Sequence, residues 1–147
     1  MYKTINLNIA KGVATLTLNR PERLNSFTLE MHAECKQALK EIKTNKSVRC
    51  LLITGNGRGF CAGQDLGERK FEEGSATDLG ESLEKRYNPL IKTIRTLNYP
   101  VVCAVNGVAA GSGANIALAA DIVLAARSAK FIQPFCKLGL IPDAGGT

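Results

Sequence analysis

The sequence predicts an α/β fold with a largely parallel sheet, organised as one domain over residues 1–147. Strand-like segments alternate with segments of helical periodicity, a succession that is typical of βαβ units. The length is sufficient for a buried core. The content of 45% hydrophobic and 22% charged residues is that of an ordinary globular protein.

The first half of the chain supplies three of these elements. Residues 13–18 alternate apolar and polar side chains with period two and predict a strand. Thr28 is expected to cap a helix that runs to about Thr44, because apolar residues then recur at helical spacing. A second strand is predicted over 49–54. The polar, glycine-containing stretch 67–78 has no clear period and predicts a mobile loop.

The second half continues the alternation. A second amphipathic helix is expected between Leu79 and Leu97, with Pro89 as the residue that could bend it. The remaining predicted elements are a strand over 100–105, a buried helix of small residues over 112–120, a strand over 121–126 and a short strand over 130–132.

Composition and charge narrow the function classes. No apolar run approaches the ~20 residues of a membrane helix, and the N-terminus has no signal core, so we expect a cytoplasmic protein without a membrane partner. The five cysteines include no CxxC pair and there is one histidine, which favours reduced thiols and no metal site. The net charge of +6 is scattered, which indicates a solvated basic surface or an anionic, phosphate-bearing ligand and no nucleic acid.

Two glycine-rich segments, 57–66 and 106–115, carry the main functional signal, and each follows an apolar strand. Glycine lets backbone N–H groups approach a ligand closely, and two such turns can aim two donors at one oxygen, as in an oxyanion hole. The second segment also opens the small-residue helix, where the N–H groups of Gly111, Ser112 and Gly113 lack intrahelical partners. The spacing of the first segment fits neither a dinucleotide loop nor a phosphate loop. The alternative interpretation is that both segments are ordinary tight turns without a ligand.

The chain resembles the crotonase superfamily, the enoyl-CoA hydratase/isomerase group. The stretches that carry the resemblance are, in order, residues 18–27, 59–66, 100–113, 119–122 and 137–147. It implies a core of ββα repeats in a spiral with largely parallel sheets, truncated before a C-terminal helical region that is absent here. It also implies an acyl-CoA thioester as partner, with no cofactor beyond the coenzyme A of the substrate, and a homo-trimer or hexamer for the full-length form.

The resemblance assigns roles to particular positions. The N–H groups of Ala62 and Ser112 would be the oxyanion-hole donors that hold the thioester carbonyl. Arg23 and Leu24 match the loop that lines the coenzyme A site. The other matched substrate-binding or CoA-binding positions are Gly63, Gln64, Asp65, Leu66, Gly111 and Asn115.

Departures from the family pattern bear on the chemistry. Hydratases of the family carry two glutamates, whose positions match Asn115 and Phe135, so ordinary hydration is not expected. Asp143 resembles instead the aspartate of the phenylacetate-pathway isomerases, which act on the ring-1,2-epoxide of phenylacetyl-CoA and whose relatives shift double bonds in fatty acid metabolism. An apolar pocket of Phe135, Leu140 and Ile141 should raise the pKa of Asp143 and make it a better base.

The predicted function is therefore an acyl-CoA isomerase in which Asp143 shuttles one proton. A hydratase-like protein with altered chemistry and a non-catalytic fragment that binds coenzyme A remain as alternatives. Asp143 could also be a turn residue beside glycine, and Asn115 could bind substrate or simply pack. Cys61 is expected to pack, because no histidine can activate it, and His32 is expected to face solvent.

Overall fold

The computed structural model describes residues 1–68 and 79–147, and it has the predicted α/β class. Its strands are β1 (Ile5–Ala10), β2 (Val13–Leu18), β3 (Cys50–Gly55), β4 (Gly59–Cys61), β5 (Val101–Val105), β6 (Val108–Ala110), β7 (Ile122–Ala125) and β8 (Lys130–Ile132). Its α-helices are α1 (Leu29–Thr44), α2 (Leu79–Ser82), α3 (Asn88–Arg95) and α4 (Ser112–Leu118).

The strands form two sheets. The larger sheet has the order β1-β2-β3-β5-β7, and the smaller has the order β4-β6-β8. The strand pairs run parallel apart from the β1–β2 hairpin, so the prediction of largely parallel sheets is confirmed. The hairpin turns at Lys11 and Gly12, which both have positive φ, as two-residue hairpin loops with the right twist require.

The sequence analysis did not predict three of the described strands, β1, β4 and β6. β1 has the alternation of a half-buried strand, and that signal at Ile5, Leu7 and Ile9 could have revealed it. β4 and β6 have three residues each and lie inside the glycine-rich segments, where periodicity has no length in which to appear. Each of them follows a long strand of the larger sheet, and the succession β5-β6-α4 gives the expected ββα unit.

The predicted helices form with small differences at their ends. The Thr28 hydroxyl accepts a hydrogen bond from the Met31 N–H at 3.1 Å, so the predicted cap of α1 is confirmed. The second helix is interrupted by a π-helical turn, Leu83–Tyr87, which ends two residues before Pro89, a residue that cannot donate a backbone hydrogen bond. Most of the predicted loop 67–78 lies outside the described residues.

The expectation that His32 faces solvent is wrong. Its side chain is 6% exposed, and its ring centroid lies 4.8 Å from that of Phe27 and 4.4 Å from that of Tyr87. Helical spacing identifies the residues of α1 that face the sheet. His32 lies on another side of α1, which is buried because the π-helical turn packs over it through Tyr87.

Within the described ranges, no helix is both long and apolar enough to cross a membrane.

A candidate active site where the glycine-rich segments meet

The two glycine-rich segments meet beside the N-terminus of α4. They contain β4 and β6, which are neighbours in the smaller sheet. Gly63 has φ +90°, and a Cβ on it would lie 2.8 Å from the Ala110 carbonyl oxygen and 3.6 Å from the Ser112 nitrogen. Only glycine combines this φ with so close an approach. The backbone around Gly63 therefore lies against the first residue of α4.

The Ala62 N–H does not point toward this meeting place. It donates a hydrogen bond to the Leu24 carbonyl oxygen at 2.9 Å. Ala62 lines the adjoining cavity, but its amide is already used to hold the loop around Leu24. This corrects the prediction that the Ala62 N–H is available as an oxyanion donor.

Gln64 offers the amide that the sequence analysis missed. The Phe27 N–H donates to the Gly63 carbonyl at 2.7 Å, and the Asp65 N–H donates to the Phe27 carbonyl at 2.9 Å. In such a parallel bridge the intervening residue directs its own N–H to the opposite side. Among the described residues, neither the Gln64 N–H nor the Ser112 N–H has an acceptor in the protein. These two amides are therefore available to a ligand oxygen.

The side chain of Gln64 is held by two further hydrogen bonds. The Tyr87 hydroxyl donates to its Oε1 at 3.0 Å, and its Nε2 donates to the Phe27 carbonyl at 3.0 Å. Tyr87 is 2% exposed and packs against the buried His32 ring. The amide orientation of Gln64 follows from the Phe27 carbonyl, which can only accept. This packing keeps the Gln64 backbone in place.

A cavity of about 310 Å³ opens in front of the two amides. Its described lining consists of Ala62, Gly63, Gln64, Leu66, Ser82, Leu83, Tyr87, Gly111, Ser112, Pro134, Phe135, Leu138, Leu140, Ile141, Pro142 and Asp143. The prediction that Phe135, Leu140 and Ile141 make it apolar is confirmed. Ile141 is 81% exposed, so the wall on its side is open to solvent.

Asp143 lies in the cavity wall, half-buried, and it also begins a tight turn. Its carbonyl oxygen accepts hydrogen bonds from the Gly146 N–H at 2.8 Å and from Asn115 Nδ2 at 2.7 Å. The two roles predicted for Asp143, a turn residue and a residue of the site, are therefore compatible. The raised pKa expected for its carboxyl stays a prediction.

Asn115 is buried and does not belong to the described cavity lining. Its Nδ2 donates to Asp143, and its Oδ1 accepts from Gln133 Nε2 at 2.6 Å. Both ends of the amide are thus used within the protein. Of the two roles predicted for Asn115, these contacts favour packing over substrate binding.

Asp65 also differs from its predicted role. Its carboxylate accepts hydrogen bonds from Arg20 at 2.9 Å, from the Ser26 hydroxyl at 3.2 Å and from the Gly67 N–H at 2.9 Å. Burial alone would raise the pKa of Asp65, but these donors outweigh it and hold that pKa below its ordinary value. Asp65 therefore fastens the loop beside Gln64. Its partner Arg20 was not singled out from the sequence.

The remaining predicted residues lie near the cavity in different ways. Leu66 lines it and is 52% exposed. Gly111 lines it as the residue before α4, with φ +55°. Leu24 has φ +49° and supports the Ala62 loop through its carbonyl, whereas Arg23 is exposed at the end of a short 3-10 turn. Neither Arg23 nor Leu24 belongs to the described lining.

Comparisons with known proteins agree on one family. The family model described as Enoyl-CoA hydratase/isomerase matches residues 8–147. The chain is 60% identical over 148 residues to 1,2-epoxyphenylacetyl-CoA isomerase of Escherichia coli (strain K12), covering 100% of this chain and 56% of that protein. It is 47% identical over 146 residues to a probable enoyl-CoA hydratase of Rhodobacter capsulatus, covering 99% and 55%.

The fold matches solved structures equally well. The crystal structure of an enoyl-CoA hydratase from Bacillus anthracis superposes with a TM-score of 0.89 at 32% identity, covering 98% of this chain and 55% of that one. The chain thus spans about half the length of the proteins that it matches.

Proposed function

Because the chain belongs to the enoyl-CoA hydratase/isomerase family, we propose that it forms the catalytic core of an acyl-CoA isomerase. One observation carries the proposal. Asp143 lies in the wall of the same cavity as Gln64 and Ser112, whose N–H groups have no acceptor among the described residues. A carboxyl-bearing residue in the wall of a cavity that also holds two amide donors suits proton transfer next to a carbonyl group.

The proposed reaction begins with the thioester carbonyl between the Gln64 and Ser112 amides. The Asp143 carboxylate removes a proton from the carbon alpha to that carbonyl, and the electron pair of the broken C–H bond moves to the oxygen as an enolate. Each donor contributes roughly 2.7–4 kcal/mol to stabilising this charge. With an unsaturated acyl-CoA, the protonated Asp143 then returns its proton to a different carbon, so one C–H bond is broken, one is formed and a double bond moves.

The substrate proposed for the whole protein is 2-(1,2-epoxy-1,2-dihydrophenyl)acetyl-CoA or an unsaturated acyl-CoA. The identity to the Escherichia coli isomerase supports the first of these. The apolar side chains of Phe135, Leu138 and Leu140 suit an aryl or alkyl group in either case. Coenzyme A enters as part of the substrate with no additional cofactor, and the full-length protein is proposed to be a homo-trimer or hexamer.

Replacing the proposed base tests this function. In the full-length protein, Asp143→Asn should slow exchange of the substrate alpha and gamma protons with D2O by about 10²–10⁴, because the amide cannot accept the proton. NMR measures the exchange, and calorimetry with a saturated acyl-CoA should show binding changed by less than about threefold. Asp121→Asn is the matched control, because Asp121 contacts Arg95 and Val101 away from the cavity. Exchange at the wild-type rate in Asp143→Asn would refute the assignment.

Hydration is the second candidate, supported by the identity to a probable hydratase. The position of Asn115 weighs against it, because the side chain is buried, is held by Asp143 and Gln133, and does not belong to the described cavity lining. Phe135, at the other position implied by the resemblance, offers no polar group. Water addition to an enoyl-CoA, followed in the same full-length protein, should therefore be far slower than proton exchange.

A further inference from the structure

The turn that carries Asp143 is strained. Ala144 and Gly145 follow it with φ +47° and +80°, and the Gly146 N–H closes the turn onto the Asp143 carbonyl. The left-handed region is unfavourable for a residue with a Cβ, because the Cβ comes too close to the following carbonyl oxygen. Ala144 is also 6% exposed, so its methyl group is packed in this conformation. A turn of this kind persists only where its surroundings hold it.

Asn115 supplies that support from α4. Its Nδ2 is the second donor to the Asp143 carbonyl, at 2.7 Å. A Cβ on Gly146 would come within 2.3–2.6 Å of the Asn115 amide atoms, so the turn lies directly on this side chain. The buried amide therefore fixes the Asp143 main chain both by a hydrogen bond and by contact.

Gln133 in turn fixes the orientation of Asn115. The Asp143 carbonyl can only accept a hydrogen bond, so the Asn115 nitrogen must face it and the oxygen must face away. Gln133 Nε2 donates to that oxygen at 2.6 Å. The chain of contacts runs from Gln133 through Asn115 to the Asp143 backbone.

The helix that holds Asp143 also carries one of the amide donors. Asn115 lies three residues after Ser112 in α4, about one helical turn away. We propose that Asn115, oriented by Gln133, is a positioning residue that sets the Asp143 carboxylate relative to the Ser112 amide. This inference rests on the proposed function, because it takes Asp143 as the base. Asn115 itself touches no substrate.

Kinetics of the full-length protein test the positioning role. Asn115→Ala should lower kcat about 10- to 100-fold, since small displacements of a reacting group have effects of that size. The dissociation constant of a saturated acyl-CoA should stay within about twofold, because Asn115 does not line the cavity. A loss of binding in proportion to kcat, or kcat within about twofold of the wild type, overturns the inference.

Variants of Gln133 test the same inference if the Asn115→Ala protein fails to fold. Gln133 is exposed, and Gln133→Ala should lower kcat about 3- to 10-fold with binding unchanged. Gln133→Glu preserves the size but replaces the donor by an acceptor, so it should be at least as harmful, whereas a space-filling role would tolerate it. Gln37→Ala, an exposed glutamine of α1, is the control. Wild-type kcat in both Gln133 variants would contradict the proposal that Gln133 orients Asn115.

A double-mutant cycle tests whether Gln133 affects kcat through Asn115 or independently of it. If Gln133 acts through Asn115, adding Gln133→Ala to Asn115→Ala should cause no further loss of kcat. Additive losses would contradict this order of action. Asp143→Asn distinguishes this inference from the proposed function. Proton exchange that survives Asp143→Asn refutes the base itself. Exchange lost in Asp143→Asn but retained in Asn115→Ala refutes only the positioning role.

Discussion

At the scale of single residues, several side chains outside the cavity hold the groups that line it. Arg20 and Asp65 form an ion pair at 2.9 Å, with side chains only 18% and 15% exposed, and Asp65 directly follows Gln64. Tyr87 holds the Gln64 side chain from the other side. Cys61 lies beside these loops with its pKa raised to about 12 by burial, so it remains a packed thiol, as predicted.

The Arg20–Asp65 pair gives a stability prediction. Arg20→Met should lower the free energy of unfolding by about 1–3 kcal/mol, because a mostly buried carboxylate loses its charged donor. Urea unfolding measures the change. Lys3→Met is the matched control, since the Lys3–Glu30 pair is 78% and 49% exposed and should have a much smaller effect on stability. Equal effects of the two substitutions would contradict the prediction.

His32 gives a pH prediction. Burial, with a contribution from Arg86, lowers the pKa of His32 to about 4, whereas the unfolded chain has its ordinary value near 6.5. The unfolded state therefore binds the proton more tightly, and stability is lost as the pH falls from about 6.5 toward 4, by up to about 3 kcal/mol. His32→Phe retains an aromatic ring without titrating.

The His32 experiment compares the two proteins by urea unfolding between about pH 7.5 and 4.5. The wild type should lose more stability than His32→Phe over this range. Carboxylates with lowered pKa values, such as Asp65 and Glu34, also lose stability in acid, but they do so in both proteins and cancel in the difference. Parallel pH profiles would show that His32 does not titrate in this way.

At the scale of elements, α4 and the smaller sheet approach each other with almost no side chain between them. A Cβ on Gly113 of α4 would collide with the carbonyl oxygen of Cys61 in β4. This contact brings Ser112 to the Gly63 backbone. The small residues that predict a buried helix therefore also set its distance from β4.

Gly113→Ala tests this contact. The added methyl group forces α4 away from β4, so stability should fall by about 1–3 kcal/mol. Proton exchange should slow by about 10² because the Ser112 amide moves relative to Gln64. Gly67→Ala is the control, since among the described residues its Cβ would meet a side-chain oxygen of Asp65 at 3.2 Å and no backbone atom. Unfolding and exchange assays in the full-length protein should separate the two variants, and equal behaviour would contradict the packing argument.

At the scale of the molecule, the last strand of each sheet carries exposed apolar side chains. Ile122 and Leu124 of β7 are 52% and 60% exposed, and Phe131 and Ile132 of β8 are 43% and 42% exposed. Both strands are terminal in their sheets among the described residues. Exposed apolar strands of this kind promote association with other chains.

Residues 1–147 expressed alone should therefore self-associate. The double substitution Ile122→Lys and Leu124→Lys should reduce association, because charged side chains discourage pairing at a strand edge. Size-exclusion chromatography with light scattering measures the mass of each species. Leu29→Lys, at an apolar residue 55% exposed on α1, is the control. A wild-type polypeptide that stays monomeric at high concentration would contradict the prediction.

Local patterns were enough to predict five of the eight described strands, α1, α4 and the position of Asp143, because periodicity, caps and family motifs are properties of neighbouring residues. The tertiary structure alone decided which amide is available, since the Ala62 N–H donates to Leu24, 38 positions earlier, while the Gln64 N–H has no acceptor among the described residues. It likewise decided that Asn115 faces the Asp143 turn. These features depend on contacts between segments distant along the chain, and no local pattern encodes where such segments meet.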